Sequence, residues 1–403
     1  MQPPKSPRDL RVALFSGNYN YVRDGANQAL NRLVGHLLAA GVAVRVYSPT
    51  VPEPAFPPTG DLISVPAIPV PFGGRGEYKI ARSLPAAPRA DLEAFAPNIV
   101  HVSAPDLLGH AALTWARKRD IRTVASLHTR FETYPRYYGL GVIEPLLVRM
   151  LTRFYDRADR VVVPSPSIAE ILRDWGVETP IGIWSRGIDH DRFRPDRRDL
   201  AWRRELGVAD SDMAIGFLGR LVKEKGLDIF ADVARELTRR GVAHKILVVG
   251  DGPARDWFAE RVPGAIFTGF QSGDALGRAV ASMDVFFNPS VTETFGNVTT
   301  EAMASAVPVV AARATGAVDL VEEGRTGFLV PPRDVGAYAD AIARIVTDPA
   351  LRRSMGDAGH ARALGYRWGT ANQAVLETYL GLIDQTDPSL QGEVARGTRG
   401  GGV

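Results

Sequence analysis

The sequence predicts an α/β protein built from two parallel-sheet domains, and three observations carry that prediction. From Arg11 onward, short β-branched runs alternate with longer stretches of helical period, which is the pattern of right-handed strand–helix–strand units. At 403 residues the chain exceeds what one hydrophobic core usually serves. The charged segment Ser185–Asp199 (SRGIDHDRFRPDRRD) is poor in apolar residues, and the rhythm restarts after it at Met213–Leu218. The domain junction is expected in that segment.

In the first domain, Arg11–Ser16 reads as a buried strand. Leu30, Leu33, Val34, Leu37 and Leu38 then stripe one face of a helix that Gly41 stops. Val42–Tyr47, Leu62–Val65, Ile99–Val102 and Thr123–Leu127 are further strands, and the proline-rich stretch from Pro49 to Pro71 predicts a long surface excursion. Glu144–Arg160 has helical period, with Leu146, Leu147, Met150, Leu151 and Phe154 on one side and Arg149, Arg153 and Arg157 on another. In the second domain the strands are Ala214–Leu218, Lys245–Val249, Ala265–Phe267, Val285–Phe287, Val307–Ala311 and Gly327–Val330, with a helix at Leu227–Leu237. Helical period resumes at Val335 and runs past Trp368 to about Ile383; the glycine-rich tail after it is expected to be disordered.

Composition narrows the function. The chain has no cysteine, which removes disulfide frameworks, thiolate nucleophiles and cysteine-held metal sites. With 48 basic and 45 acidic residues the net charge is only +3, so nucleic acid is not favoured as a partner. No run approaches the roughly 18 apolar residues of a membrane span, and the polar start MQPPKSPRDLR lacks the apolar core of a secretory leader. The expectation is a cytoplasmic protein whose membrane contact, if any, is peripheral. Neither Gly139-Leu-Gly141 nor Gly250-Asp-Gly252 completes G-x-G-x-x-G, and G-x-S-x-G and H-E-x-x-H do not occur.

Ligands of open parallel sheets collect at the carboxyl ends of strands, so polar residues just after strands draw attention. The strongest cluster is NPSVTETFGNVTTE, Asn288–Glu301, where Glu293 and Glu301 stand eight apart. Backbone N–H groups near Phe295, Gly296, Asn297 and Val298 start a helix there, and such a terminus suits a phosphate or a sugar hydroxyl. GRLVKEKG, Gly219–Gly226, places Arg220 and Lys225 where they can converge on one anion; a diphosphate carries enough charge to need both. VGDGP ends another strand in Gly250 and Gly252, which favours close approach to a ring or ribose. Taken singly, each of these is also a common solvated turn or surface acid.

Taken together, in this order and spacing, GRLVKEKG, VVGDGP, the E-x7-E of Glu293 and Glu301, and RGIDHDRFRP at the junction resemble the retaining nucleotide-sugar glycosyltransferases of the GT-B type. The likeness runs from about Arg11 to Ile383. HVSAPDLLG followed by HTRFETYPRYYGLG looks most like the members that glycosylate diacylglycerol-type lipids. The resemblance implies two facing Rossmann-like domains, residues 1–185 for the acceptor and 186–365 for the donor. A helix at 366–385 would return to the first domain, ahead of a tail at 386–403. It implies that Arg220 and Lys225 neutralise the donor diphosphate, Glu293 orients sugar hydroxyls, Glu301 holds the ribose, and His128 lies beside the sugar. Gly25 matches one glycine of the family's usual pair, whereas Asp24 stands where the other is expected.

These roles imply departure of a nucleoside diphosphate, most commonly UDP, with same-face attack by an acceptor hydroxyl. The negative charge that develops is met by Arg220, Lys225 and a helix terminus without a metal or cofactor. A lipid acceptor leads, with a polysaccharide or capsule intermediate as the alternative, and the basic helix face of Arg149, Arg153 and Arg157 suits an anionic bilayer. A sugar-nucleotide epimerase and a non-catalytic sugar-nucleotide binder are the readings from other classes.

Overall fold

The computed structural model describes residues 6–22, 24–69, 79–81, 83–137 and 139–384. Seven parallel strands form the first sheet: β1 (Arg11–Phe15), β2 (Ala43–Ser48), β3 (Asp61–Ser64), β4 (Ile99–Val102), β5 (Arg122–Ser126), β6 (Arg160–Val163) and β7 (Ile181–Ile183). Their order is β3-β2-β1-β4-β5-β6-β7. Six more form the second: β8 (Ala214–Leu218), β9 (Lys245–Val249), β10 (Ile266–Phe267), β11 (Val285–Asn288), β12 (Val309–Ala312) and β13 (Gly327–Val330), ordered β10-β9-β8-β11-β12-β13. Both sheets thus carry the 3-2-1-4-5-6 order of a doubly wound Rossmann-like fold. In each, the order reverses between the first and fourth strands, which opens a crevice at their carboxyl ends.

The strands read so plainly because both faces of each sheet are covered. Val12, Ala13 and Leu14 of β1 and Val309, Val310 and Ala311 of β12 are all fully buried, as expected of continuous apolar runs in parallel sheets. Six helices shape the crevices, their flanks and the domain crossing: α1 (Gly25–Ala39), α2 (Leu107–Arg117), α3 (Glu144–Tyr155), α4 (Leu227–Arg239), α5 (Asn297–Ala304) and α6 (Trp368–Ile383).

Three elements depart from the sequence expectation. The helix from Glu144 ends at Tyr155, not Arg160, because Asp159 exchanges hydrogen bonds with Thr123 and draws the chain into β6. The helical stretch from Val335 is three helices, since Asp348 caps a new one with Pro349 in its first turn and this one ends at Ala363 with Leu364 as its cap. Within the proline-rich excursion the expected strand forms at Asp61–Ser64 on the sheet edge beside β2, and the unexpected element is Ala67–Pro69, which pairs antiparallel with Lys79–Ala81 beyond the excursion. The tail at 386–403 lies outside the described residues.

As expected, α6 crosses back onto the first domain. Val375, Leu376 and Tyr379 are buried in one core with Leu33, Val34 and Leu37 of α1, and Asn372 links Arg32 of α1 to the Trp184 indole. The outgoing and returning segments touch: a Cβ on Gly187 would lie 2.1 Å from the backbone nitrogen of Trp368, so only glycine lets them cross this closely. Leu376→Ala empties that core and is expected to cost about 2–5 kcal/mol, read as a lowered urea midpoint with unchanged m-value.

Candidate active site

In the second domain the crevice lies between β8 and β11. The loop after β8 carries Arg220 and Lys225, and the loop after β11 carries Glu293. The structure joins them: Lys225 Nζ donates to Glu293 Oε1 at 2.6 Å. Burial works against the Lys225 ammonium, but the Glu293 carboxylate more than offsets this and leaves its pKa above the usual lysine value. Arg220 stands on the exposed rim of the same loop. Helix α5 begins beside them after Gly296, whose φ is +99° and which offers no side chain to cap the first amides, so the N–H groups of Asn297 and Val298 are left with positive potential.

The other expected donor residues sort by what they touch. The Phe295 ring is buried edge-on against Tyr366, 5.7 Å between centroids, and the partly buried Val298 packs on the same core. Gly219, Gly250 and Gly252 bring the loops after β8 and β9 together. A Cβ on Gly250 would stand 2.0 Å from the Gly219 carbonyl oxygen, and one on Gly252 2.5 Å from that of Leu221. Glu301, one turn into α5, has no hydrogen bond or ion pair to its carboxylate among the described residues. Burial pushes its pKa up to about 8 against the pull of Arg192. An unpaired, desolvated carboxyl is costly, and hydroxyl donors of a ligand would satisfy it.

The first domain closes the other side. The loop after β1 brings Gly25 against α5, so that a Cβ there would lie 2.5 Å from Asn297 Nδ2. Asp24, in place of glycine, caps α1 by accepting from the Asn27 amide at 2.8 Å. Burial raises its pKa, opposed by the amides of Asn27 and Ala26 and by the charge of Arg220 across the cleft. His128 follows β5, and its carbonyl accepts from the Thr294 hydroxyl at 2.9 Å, next to Glu293. Its ring turns inward, with Nδ1 at 2.7 Å from the Arg186 guanidinium and Nε2 at 2.8 Å from Ser126 Oγ. Ser165 donates to the Thr294 carbonyl, and the amide of Ser167 donates to Asp319, which adds two further ties between domains.

Sequence reasoning misses Arg186, Thr294 and the Ser126–His101 pair. Arg186 is legible in principle: it follows β7 just as His128 follows β5, but β7 is only three residues long and gives too short a run to stand out. A groove of about 780 Å³ lined by Asn98, Asp120, Arg122 and Asp159 opens at the amino ends of β4, β5 and β6. That is the wrong end of the sheet for Rossmann-type binding. Among the described residues, no group of three His, Asp or Glu side chains is placed to hold a metal ion.

Residues 23–192 match the family model described as Glycosyltransferase Family 4, and residues 212–348 match that described as Glycosyl transferases group 1. The chain is 34% identical over 382 residues to a GDP-mannose-dependent alpha-mannosyltransferase of Mycolicibacterium smegmatis, covering 93% of this chain and 98% of that protein. The chain belongs to this glycosyltransferase family. It is also 27% identical to an alpha-monoglucosyldiacylglycerol synthase of Streptococcus pneumoniae, over 75% of this chain and 71% of that one. Sucrose-phosphate synthase of Thermosynechococcus elongatus superposes with a TM-score of 0.77 at 22% identity, over 92% of this chain and 98% of that one. The glycosyltransferase therefore has the GT-B fold.

Glu301 gives the glycosyltransferase a pH signature. Its pKa in the folded chain is raised from 4.5 to about 8, so its contribution to stability is full below the unfolded value and is lost as pH rises through about 8. Thermal melts of the unliganded protein between pH 5 and 8.5 are expected to show wild type losing stability relative to Glu301→Gln. A constant difference would remove the assignment.

Proposed function

We propose that the chain is a retaining hexosyltransferase that takes its sugar from a nucleoside diphosphate and passes it to a hydroxyl of a membrane lipid at the cytosolic face. The observation that carries this reading is the Lys225–Glu293 pair, 2.6 Å apart, beside Arg220 and the uncapped start of α5. A diphosphate arriving there meets two cations and free amides, while the carboxylate it displaces from Lys225 becomes an acceptor for sugar hydroxyls. Glu301 takes the ribose hydroxyls, and the His128 segment forms the wall beside the sugar. As the bond from the anomeric carbon to phosphate oxygen breaks, its electron pair goes to the phosphate. Arg220, Lys225 and the α5 amides stabilise that charge, with no metal or cofactor assigned a part. The acceptor hydroxyl attacks the same face and its proton passes to the departing phosphate, so configuration is retained.

The family resemblance points to UDP as the nucleotide. The M. smegmatis relative, named for GDP-mannose and aligned along almost the whole chain, makes GDP-mannose the first donor to test and UDP-glucose the second. Support for a lipid acceptor comes from the name of the S. pneumoniae relative and from one surface. Leu140, Val142, Ile143, Leu146 and Met150 are exposed, Val142 by 88%, and Arg149 and Arg153 are exposed among them. Rather than lying on separate sides as the sequence suggests, Leu146, Arg149, Met150 and Arg153 share one exposed face of α3 at helical spacing, an arrangement suited to the interface of an anionic bilayer. Arg157 is not part of that face, because its guanidinium bonds His110 and Thr114 of α2. No helix of the described residues is long and apolar enough to cross a membrane.

Lys225→Ala is expected to lower turnover by roughly 10²-fold in a folded enzyme, with the anomeric configuration of the wild-type product preserved by NMR; near-normal turnover or an inverted product contradicts the reading. Arg149→Gln with Arg153→Gln is expected to weaken binding to vesicles containing anionic lipid by about 10-fold or more, at roughly 1 kcal/mol per basic side chain. Unchanged binding points to a soluble acceptor such as a polysaccharide intermediate.

A further inference from the structure

Arg186 lies where the chain leaves the first sheet after β7, and only 4% of it is exposed. Its guanidinium donates to the Trp184 carbonyl at 2.8 Å, to the Ser185 carbonyl and to His128 Nδ1 at 2.7 Å, and it covers the Trp184 ring at 4.8 Å. Among the described residues no carboxylate forms an ion pair with it. A buried cation without a counter-ion is expensive, and burial draws the Arg186 pKa down to about 9.

The hydrogen bonds fix a tautomer. A guanidinium only donates, so His128 Nδ1 must accept, and the ring proton sits on Nε2, where it is given to Ser126 Oγ. The chain of polar groups continues from Ser126 to His101 Nε2 at 2.8 Å and from His101 Nδ1 to the Tyr379 hydroxyl of α6. The groups facing the His128 ring are therefore Arg186 from the junction, Ser126 of β5, His101 of β4 behind it, and the Trp184 indole edge-on at 5.2 Å. None is an acid. On its cleft side the same residue is tied through its carbonyl to Thr294, one residue from Glu293.

We propose that Arg186 is a positioning residue for glycosyl transfer, holding His128 in the form whose Nδ1 accepts and whose Nε2 donates, and placing behind the first-domain wall a buried positive charge whose counter-charge arrives with the anionic donor. The inference rests on the glycosyl-transfer reading above and adds a third cation to it, packed behind His128 on the first-domain side of the cleft, opposite Arg220 and Lys225. The donor then meets positive charge on both faces of the cleft, and no imidazolium is formed beside the sugar. Protonating His128 on Nδ1 would set two cations 2.7 Å apart.

The test has two arms that fail separately. In the first, ring nitrogens of ¹⁵N-histidine-labelled wild-type protein are followed by NMR from pH 5 to 8 without donor. His128 is expected to remain neutral with the proton on Nε2 throughout, and in Arg186→Gln it is expected to become protonatable within that range. In the second, kcat and KM for the donor are measured for Arg186→Gln and Arg186→Lys. Gln, which keeps a donor group but no charge, is expected to lower kcat/KM for the donor by at least 10-fold and to introduce an acid limb into the pH profile, with Lys recovering part of the loss. A wild-type His128 that titrates between pH 5 and 8 overturns the proposal even if no variant folds. So does an Arg186→Gln enzyme with the wild-type kcat/KM and pH profile. Absence of transfer by wild type with any sugar nucleotide would instead overturn the functional reading and leave the NMR arm to decide the tautomer.

Discussion

The carboxyl edges of two separately built sheets face each other across a cleft, and the placement of its residues depends on that constraint. One sheet alone offers half a site: the loops after β8 and β11 bring Lys225 and Glu293 together, with Arg220 on the exposed rim of the first, while Gly25 and His128 come from the other sheet. What holds the halves in register is a small set of polar ties, His128 to Thr294, Ser165 to Thr294 and Ser167 to Asp319, together with the crossing at Gly187 and Trp368. None is a large apolar interface. Water can replace such polar contacts at modest cost.

The charges in the cleft are arranged so that the empty site is held in check. Glu293 occupies Lys225, Asp24 faces Arg220, and Glu301 is raised toward neutrality by burial. The acids keep the cations of the empty site from being wholly uncompensated; on the proposed reading, each would serve as an acceptor or a neutral donor for hydroxyls of the donor. The arrangement favours a ligand that is doubly anionic at one end and rich in hydroxyls at the other, which is the chemistry of a sugar nucleotide.

Much of this is legible in the sequence because the strands of parallel sheets are continuous apolar runs and the polar residues directly after them are the ligands' neighbours. That rule draws attention to the loops that carry Lys225 and Glu293 and to the start of α5, while Glu301 lies inside the helix and all four take their expected roles only from the family resemblance. The rule fails where a strand is too short or begins in charge: β6 opens on Arg160 and β7 has three residues, so Arg186 reads as part of a charged linker. Contacts across the domains are invisible for a different reason. Thr294 and His128 are separated by 166 positions, and no local pattern encodes that pairing. Asp24 in place of glycine is visible in the sequence, but its work as the cap of α1 appears only in the fold.

If the cations of the second domain and the amino end of α5 grip a pyrophosphate, a crystal structure of the protein with GDP or UDP will show it. β-Phosphate oxygens are expected within hydrogen-bond reach of Lys225 Nζ, the Arg220 guanidinium and the amides of Asn297 and Val298, with Glu293 released from Lys225. A nucleotide bound elsewhere, with the Lys225–Glu293 pair still closed, would contradict that grip.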